Sequence, residues 1–466
     1  MSEDKIYDLA VLGGGPGGYT AAFRAADLGL SVCLIGQNDN LGGVCLNVGC
    51  IPSKTLLHGA AIIEEAREAA KFGITFSEPE VNLDQLREHK IKIITQLTGG
   101  LDQLCKARKI TRIVGKGEFK DREKLLVHHK DSDLIVQFKN CIIATGSHPV
   151  KLPGIPDDDR IWDSTDALDL KYIPKKLLII GGGIIGLEMA QIYSALGSEI
   201  TIVEMLNHLI PPADKDLVQP LFLKLKKRYK IFTKTKVINI EAQKSGIKAS
   251  FEGPKAPESD KFDAVLVAVG RRPNNDGFGR ENIKLELNEK GFIPVDNQQK
   301  TSVNGIYAIG DAIGNPMLAH KSTHEGKVAA EVISGKKTVF EPMTIPSVAY
   351  TNPEIAWMGK TEKEVKEQGI EYVSGKFPWG ASGRALSSDA ATGATKVLFD
   401  KESGRIIGAG ICGQNAGELI HEAVLALEMG ADAEDISRTV HAHPTLAETF
   451  AFAAEIVDGS ITDILP

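Results

Sequence analysis

Cys45 and Cys50 stand in the run Gly42-Gly43-Val44-Cys45-Leu46-Asn47-Val48-Gly49-Cys50-Ile51-Pro52-Ser53-Lys54. Two thiols separated by four residues can hold a metal, pack as inert side chains, or cycle between dithiol and disulfide. Structural zinc takes four nitrogen or sulfur ligands, usually in closely spaced pairs, and no second pair lies nearby. No metal is expected. The cysteines follow a Gly13-x-Gly15-x-x-Gly18 run by about half a βαβ unit. Thiols placed behind a dinucleotide fingerprint suggest a disulfide that exchanges electrons with a nucleotide cofactor. A helix opened by the two cysteines and carrying Lys54 lowers a thiol pKa through its dipole and nearby cations.

A second cluster lies far along the chain, in His441-Ala442-His443-Pro444-Thr445-Leu446-Ala447-Glu448. A residue before proline is held extended, and Pro444 suits the first turn of a following helix. That presents His443 at a loop tip, with Glu448 inside the helix and near enough to orient the imidazole. A base of near-neutral pKa is what a thiol substrate needs, because free thiols are mostly protonated at pH 7.

The elements that position these groups show as an internal repeat. Tyr7 to Leu12 is an apolar strand running into the Gly13 loop and an Ala-rich helix that ends near Gly29. A shift of 168 residues carries Gly13, Gly15, Gly18 and Gly29 onto Gly181, Gly183, Gly186 and Gly197, again behind an apolar strand, Leu177 to Ile180. The glycines serve a tight turn, close approach of backbone to a pyrophosphate, and close helix–strand packing. The ribose-gripping carboxylate belongs at the end of the second strand, and Glu204 stands there in the second repeat. A carboxylate there accepts from both ribose hydroxyls and repels a 2′-phosphate, which favours NAD over NADP. In the first repeat that position is Gly36, so adenosine binding leans on backbone or on Gln37 and Asn38. Two buried runs, Cys141 through Thr145 to Gly146 and Ala264 to Gly270, each reach a proline three residues on, Pro149 and Pro273. Each pair closes one nucleotide unit.

Length and composition bound the rest. A chain of 466 residues exceeds one core and predicts about three domains. A net charge of −7, with one dense basic run at Lys224–Arg228, argues against nucleic-acid binding. No apolar stretch approaches the ~18 residues of a membrane span, and Met1-Ser2-Glu3-Asp4 is no signal peptide. Cys33, Cys105, Cys141 and Cys412 are scattered singly and read as buried, reduced thiols of a cytoplasmic protein.

The segment around Cys45 and Cys50 closely resembles the active-site segment of the dihydrolipoamide dehydrogenase family, flavin-dependent pyridine nucleotide–disulfide oxidoreductases. The likeness extends over essentially the whole chain. Gly305-Ile306-Tyr307-Ala308-Ile309-Gly310-Asp311 resembles the family's second FAD motif, in which the aspartate binds the ribityl chain, and His443-Pro444-Thr445-x-x-Glu448 its base motif. The resemblance implies an α/β fold of two Rossmann-like domains, the NAD domain inserted in the FAD domain, and a C-terminal α+β dimerisation domain. The segments are then 1–148 (FAD, first part), 149–273 (NAD), 274–342 (FAD side) and 343–466 (interface). Gly117 and Ala319 match further FAD positions, and Val237 one at the NAD adenine. Gly36 departs from the family, which has a glutamate there. By resemblance Cys45 is the interchange thiol, Cys50 the thiolate touching the flavin, and Lys54 pairs with Glu188 beside the flavin. His443, oriented by Glu448, is the catalytic base, supplied by the partner subunit of a homodimer. The implied reaction oxidises dihydrolipoamide on acyltransferase or H-protein subunits, with one FAD per subunit and NAD as co-substrate. Glutathione reductases usually have arginines where Glu204 stands, and soluble transhydrogenases lack the cysteine present here as Cys45.

Overall fold

The computed structural model describes residues 5–465. Strand Ile6–Leu12 buries Tyr7 and the run Leu9 to Leu12, apolar on both faces as a strand covered on both sides must be. It lies between two parallel neighbours, Val32–Gly36 and Leu134–Ile143; Thr111–Val114 extends the sheet on one side and Ile306–Ala308 on the other. Chain order reverses beside the first strand, and the crevice at such a reversal is where open α/β sheets bind ligands. The Ala-rich helix Pro16–Asp27 buries Ala21, Ala22 and Ala25 completely. Small side chains there let helix Ala319–Ile333 lie close: a Cβ on Gly326 would sit 2.6 Å from the Gly17 carbonyl oxygen. Residues near 306–333 thus return to the first sheet after a long excursion.

The excursion holds the second repeat. Strands Lys230–Phe232, Glu199–Val203, Lys176–Ile180, Ala264–Val267 and Ile161–Trp162 form a parallel sheet in that order. Helix Ile184–Ala195 is helix Pro16–Asp27 displaced by the same 168 residues at both ends. The turns match as well. Gly13 and Gly181 have φ of 122° and 111°, and a Cβ on either would strike the carbonyl oxygen of Ala144 or Ala268 at 2.1 and 2.4 Å. Only glycine combines that φ with that approach. The connections leaving the two units pair with each other as a short antiparallel ribbon, Ser147–Pro149 against Arg271–Pro273.

The C-terminal part is a five-stranded antiparallel sheet backed by helices Ala416–Met429 and Glu448–Asp458. Its strand Ala394–Asp400 carries Thr395 and Lys396 side by side, yet both faces are buried. Lys396 is 5% exposed, with its ammonium 2.9 Å from Asp214, 2.8 Å from Asp216 and 3.4 Å from Glu362. Asp214 and Asp216 lie at the start of helix Lys215–Lys226 of the second unit, so this cation ties that unit to the C-terminal sheet. Among the described residues no helix is long and apolar enough to cross a membrane.

Lys396→Ala leaves three carboxylates facing one another with only the more exposed Lys376 at Asp216 and Lys366 at Glu362 as cations. It is expected to cost about 3 kcal/mol, the lower end for a broken buried pair because Asp216 keeps contact with water. Denaturant unfolding measures it, and a loss under about 1 kcal/mol would mean that solvent already screens the cluster.

Candidate active site

A continuous cleft of about 2250 Å³ runs across both nucleotide units, lined by both glycine loops. Cys45 and Cys50 lie on its wall. The expectation of one helix opened by both cysteines is corrected here: Cys45 sits in a short helix, Gly43–Val48, and Cys50 begins the long one, Cys50–Glu68. Gly49 separates them in a non-helical conformation, and a Cβ there would press within 2.9 Å of the Val44 carbonyl oxygen. The break turns the two thiols toward each other. The Asn47 amide donates to the carbonyls of Leu41 and Gly43 and fixes the short helix.

The thiols are chemically unequal. Cys50 is pulled down to about 7, first by the hydrogen bond from Cys45, with Lys54 assisting and burial opposing. Cys45 is pushed up by the same contact and by burial. One proton is therefore shared by the pair near neutral pH, with the negative charge on Cys50. Elsewhere burial raises the thiols: Cys33 and Cys412 to about 12, Cys141 well above its ordinary range, and Cys105 upward. They are inert packing.

Lys54 reaches across from the first unit to Glu188 in helix Ile184–Ala195 of the second, with Nζ 2.9 and 2.8 Å from the two carboxylate oxygens. Glu188 is buried and also accepts from the Tyr350 N–H, while the Tyr350 ring lies 4.5 Å from the Lys54 ammonium. Sequence reasoning did not find Tyr350, since nothing local marks it.

The cleft also fits dinucleotides. A Cβ on Gly183 would meet nothing within 4 Å and one on Gly15 only Gly43 Cα at 4.0 Å, so both face open space at a helix N-terminus, where a pyrophosphate belongs. Gly18 and Gly186 serve packing instead: their Cβ atoms would lie 1.9 and 2.2 Å from the Gly13 and Gly181 carbonyl oxygens. Thr145 Oγ1 is buried with no hydrogen-bond partner and lines the same cleft, as do Gly146, Gly117, Ala319 and, in the second unit, Val237 and Gly270. Asp311 accepts from Ser147 Oγ, and Arg271 donates to the Ser147 hydroxyl and carbonyl oxygens, each at 2.7 Å. Ser147 and Arg271 directly follow Gly146 and Gly270. Their role escaped sequence reasoning because it exists only where the two ribbon strands pair.

Glu204 is 8% exposed, and its two oxygens accept from the N–H groups of Gly182 and Leu206, each at 2.7 Å. At Gly36 the corresponding place is open: an added Cβ would find only Gly14, its nitrogen 3.7 Å away. Gln37 and Asn38 line the cleft beside it.

His443 and Glu448 lie elsewhere. The His443 Nδ1 is 2.9 Å from Glu448 Oε1, and Glu448 Oε2 accepts from the Thr445 N–H. The helix starts at Glu448, so Pro444 lies in the preceding loop and not in a first helical turn. The His443 side chain is 79% exposed and does not line the cleft that holds the thiols.

Two dinucleotide folds sharing one cleft, with an asymmetric dithiol at their junction, define a nucleotide-linked disulfide oxidoreductase. The chain belongs to the pyridine nucleotide-disulphide oxidoreductase family, whose model matches residues 7–326, and the family's dimerisation domain matches 345–454. It uses FAD and NAD(H). Among curated proteins it is 54% identical to the dihydrolipoyl dehydrogenase of Vibrio parahaemolyticus, covering 100% of this chain and 98% of that one. The dihydrolipoyl dehydrogenase of Bacillus subtilis is 42% identical, covering 97% of each. Among solved structures, a Cu(II) complex of the HOCl-induced flavoprotein disulfide reductase RclA from Escherichia coli superposes with a TM-score of 0.87 at 26% identity, covering 97% of this chain and 100% of that one.

The Cys50 shift sets a pH test. In the reduced protein, alkylation of Cys50 by iodoacetamide is expected to rise with pH through a midpoint of about 7, against about 8.5 for an unperturbed thiol. Lys54→Met moves the midpoint up, since the ammonium favours thiolate. Mass spectrometry of the Cys50 peptide reads it, and a wild-type midpoint at or above the ordinary value refutes the assignment.

Proposed function

We propose that the chain oxidises protein-bound dihydrolipoamide to lipoamide and reduces NAD to NADH. It acts as a homodimer whose active sites combine Cys45 and Cys50 of one subunit with His443 of the other, serving lipoylated acyltransferase or H-protein subunits. The observation that carries this is the separation of the two chemical groups. A dithiol poised with its charge on Cys50 faces the dinucleotide cleft, while a His443–Glu448 pair projects into solvent from the dimerisation domain. The names of the curated relatives supply the substrate class.

The chain's own residues divide the work. Glu448 accepts from Nδ1–H of His443, which leaves Nε2 free to take a proton from one substrate thiol. The resulting thiolate attacks Cys45 of the disulfide, forming a mixed disulfide and releasing Cys50 as thiolate, which Lys54 and the cleft stabilise. The second substrate thiol, deprotonated in turn, displaces Cys45. The products are lipoyl disulfide and a reduced Cys45/Cys50 pair. FAD, held by Gly13, Gly15, Thr145 and Asp311, supplies the two-electron relay to NAD when bound. Glu204 holds the NAD ribose, and its buried carboxylate repels a 2′-phosphate.

NAD is accordingly expected to exceed NADP by about tenfold or more in kcat/KM, about 1.4 kcal/mol. Equal steady-state efficiency with the two nucleotides would falsify that role of Glu204.

His443→Ala and Cys45→Ser are each expected to abolish dihydrolipoamide turnover. A heterodimer with one mutation on each subunit keeps one intact site if the site is shared, because both lesions fall in the other. About half of wild-type activity is then expected. No activity in a dimeric, flavin-loaded heterodimer would place both groups in one subunit.

A further inference from the structure

The loop between helices Ala433–Ser437 and Glu448–Asp458 holds His443 at its tip, with no strand pairing to fix it. Glu448 anchors its C-terminal side. A second histidine anchors the other. His441 is 9% exposed, in contrast to His443 two residues on. Its Nδ1 lies 2.7 Å from the Thr439 carbonyl oxygen and its Nε2 2.6 Å from Glu422 Oε1, on helix Ala416–Met429. A carbonyl and a carboxylate only accept, so both ring nitrogens must donate, and a neutral imidazole has one N–H.

We infer that His441 is a positioning residue: held as an imidazolium between Thr439 and Glu422, it staples the His443 loop to helix Ala416–Met429 and so aims the base at the substrate thiol. This rests on the reading of His443 as that base. The groups facing His441 are carboxylates from both neighbouring helices, Glu422 on one and Glu448 and Glu455 on the other. Its pKa is raised, first by the hydrogen bond to Glu422 and against burial. The sign follows: the charged contact is fully present below the ordinary histidine pKa of about 6.5 and is lost as pH rises through the higher folded value. His443, by contrast, has one ring nitrogen on Glu448 and the other free, as a base requires. The two histidines of one motif thus differ in what accepts from them: two acceptors close on the ring of His441 and one on that of His443.

The test uses the flavin-loaded dimer with His441→Gln and, because that variant removes a buried group, also Glu422→Gln at the partly exposed partner. Each is expected to lower kcat for dihydrolipoamide about tenfold or more with little change in KM, since a base displaced by a fraction of an ångström loses rate, not substrate affinity. NADH-driven reduction of ferricyanide, which needs no proton transfer at His443, stays within about twofold of wild type. In a His443→Ala background, His441→Gln lowers no further the trace of dihydrolipoamide turnover that remains in single-turnover measurements at high enzyme concentration, because a positioning residue acts through the group it positions. Equal losses in both assays, a further loss in that background, or full dihydrolipoamide turnover in both single variants overturns the inference. Full turnover in His443→Ala alone overturns the base reading on which it rests.

Discussion

The contact between the partly exposed Lys54 and the buried Glu188 is what the arrangement turns on. Taking a carboxylate out of water is costly and is recovered only when geometry is good and remaining lone pairs are satisfied. Here both carboxylate oxygens meet the ammonium, one also accepts from Tyr350, and the tyrosine ring faces the cation. Three parts of the chain converge there: the cysteine-bearing helix, the glycine-loop helix of the second unit, and the strand region leading into the dimerisation domain. The same ammonium lowers Cys50. A pair that joins the units and tunes the thiolate makes the electronic state of the dithiol depend on the docking of the two folds.

Much of this was legible because the decisive constraints are local. A turn at φ above 110° with a carbonyl oxygen 2.1 to 2.4 Å from the missing Cβ demands glycine wherever it occurs, so two copies announce themselves at a fixed offset. Glu204 was readable for the same reason, as its place at a strand end follows from the fold. What stayed hidden is long-range. The ribbon of Ser147–Pro149 with Arg271–Pro273 joins Ser147 to Arg271 and to Asp311, each more than a hundred residues away, and no pattern within either segment foretells the pairing. Lys396 sits in a strand, where a lysine ordinarily marks a solvent-facing position. Its burial depends on acids from another unit.

The cysteine helix shows a finer limit. A single helix opened by both cysteines is the expectation for Cys45-Leu46-Asn47-Val48-Gly49-Cys50, yet the chain breaks at Gly49, the poorest helix former in the run. Five positions along one continuous helix amount to 500°, which leaves side chains about 140° apart around the axis. A disulfide needs Cβ atoms within about 4.5 Å. The break is therefore required by the redox chemistry, and the requirement could have been derived from the spacing once a disulfide was assumed.

Gly36 and Glu204 occupy equivalent places in folds that agree to the residue, and their difference has a physical consequence. Glu204 satisfies the Gly182 N–H and fills the space beside it. At Gly36 the N–H of Gly14 has no side-chain carboxylate, and the space is open to the cleft. In the second unit a buried anion at that place would disfavour a nucleotide that differs by one added phosphate. The first unit offers a longer run of groups over which a flavin would be held, from the Gly13 loop through Thr145 to the Asp311–Ser147–Arg271 chain. A prosthetic group bound over that length faces no rival differing by one phosphate. Gly36 is thus where the first unit departs from the second: backbone and the neighbouring Gln37 and Asn38 stand where the second presents a carboxylate.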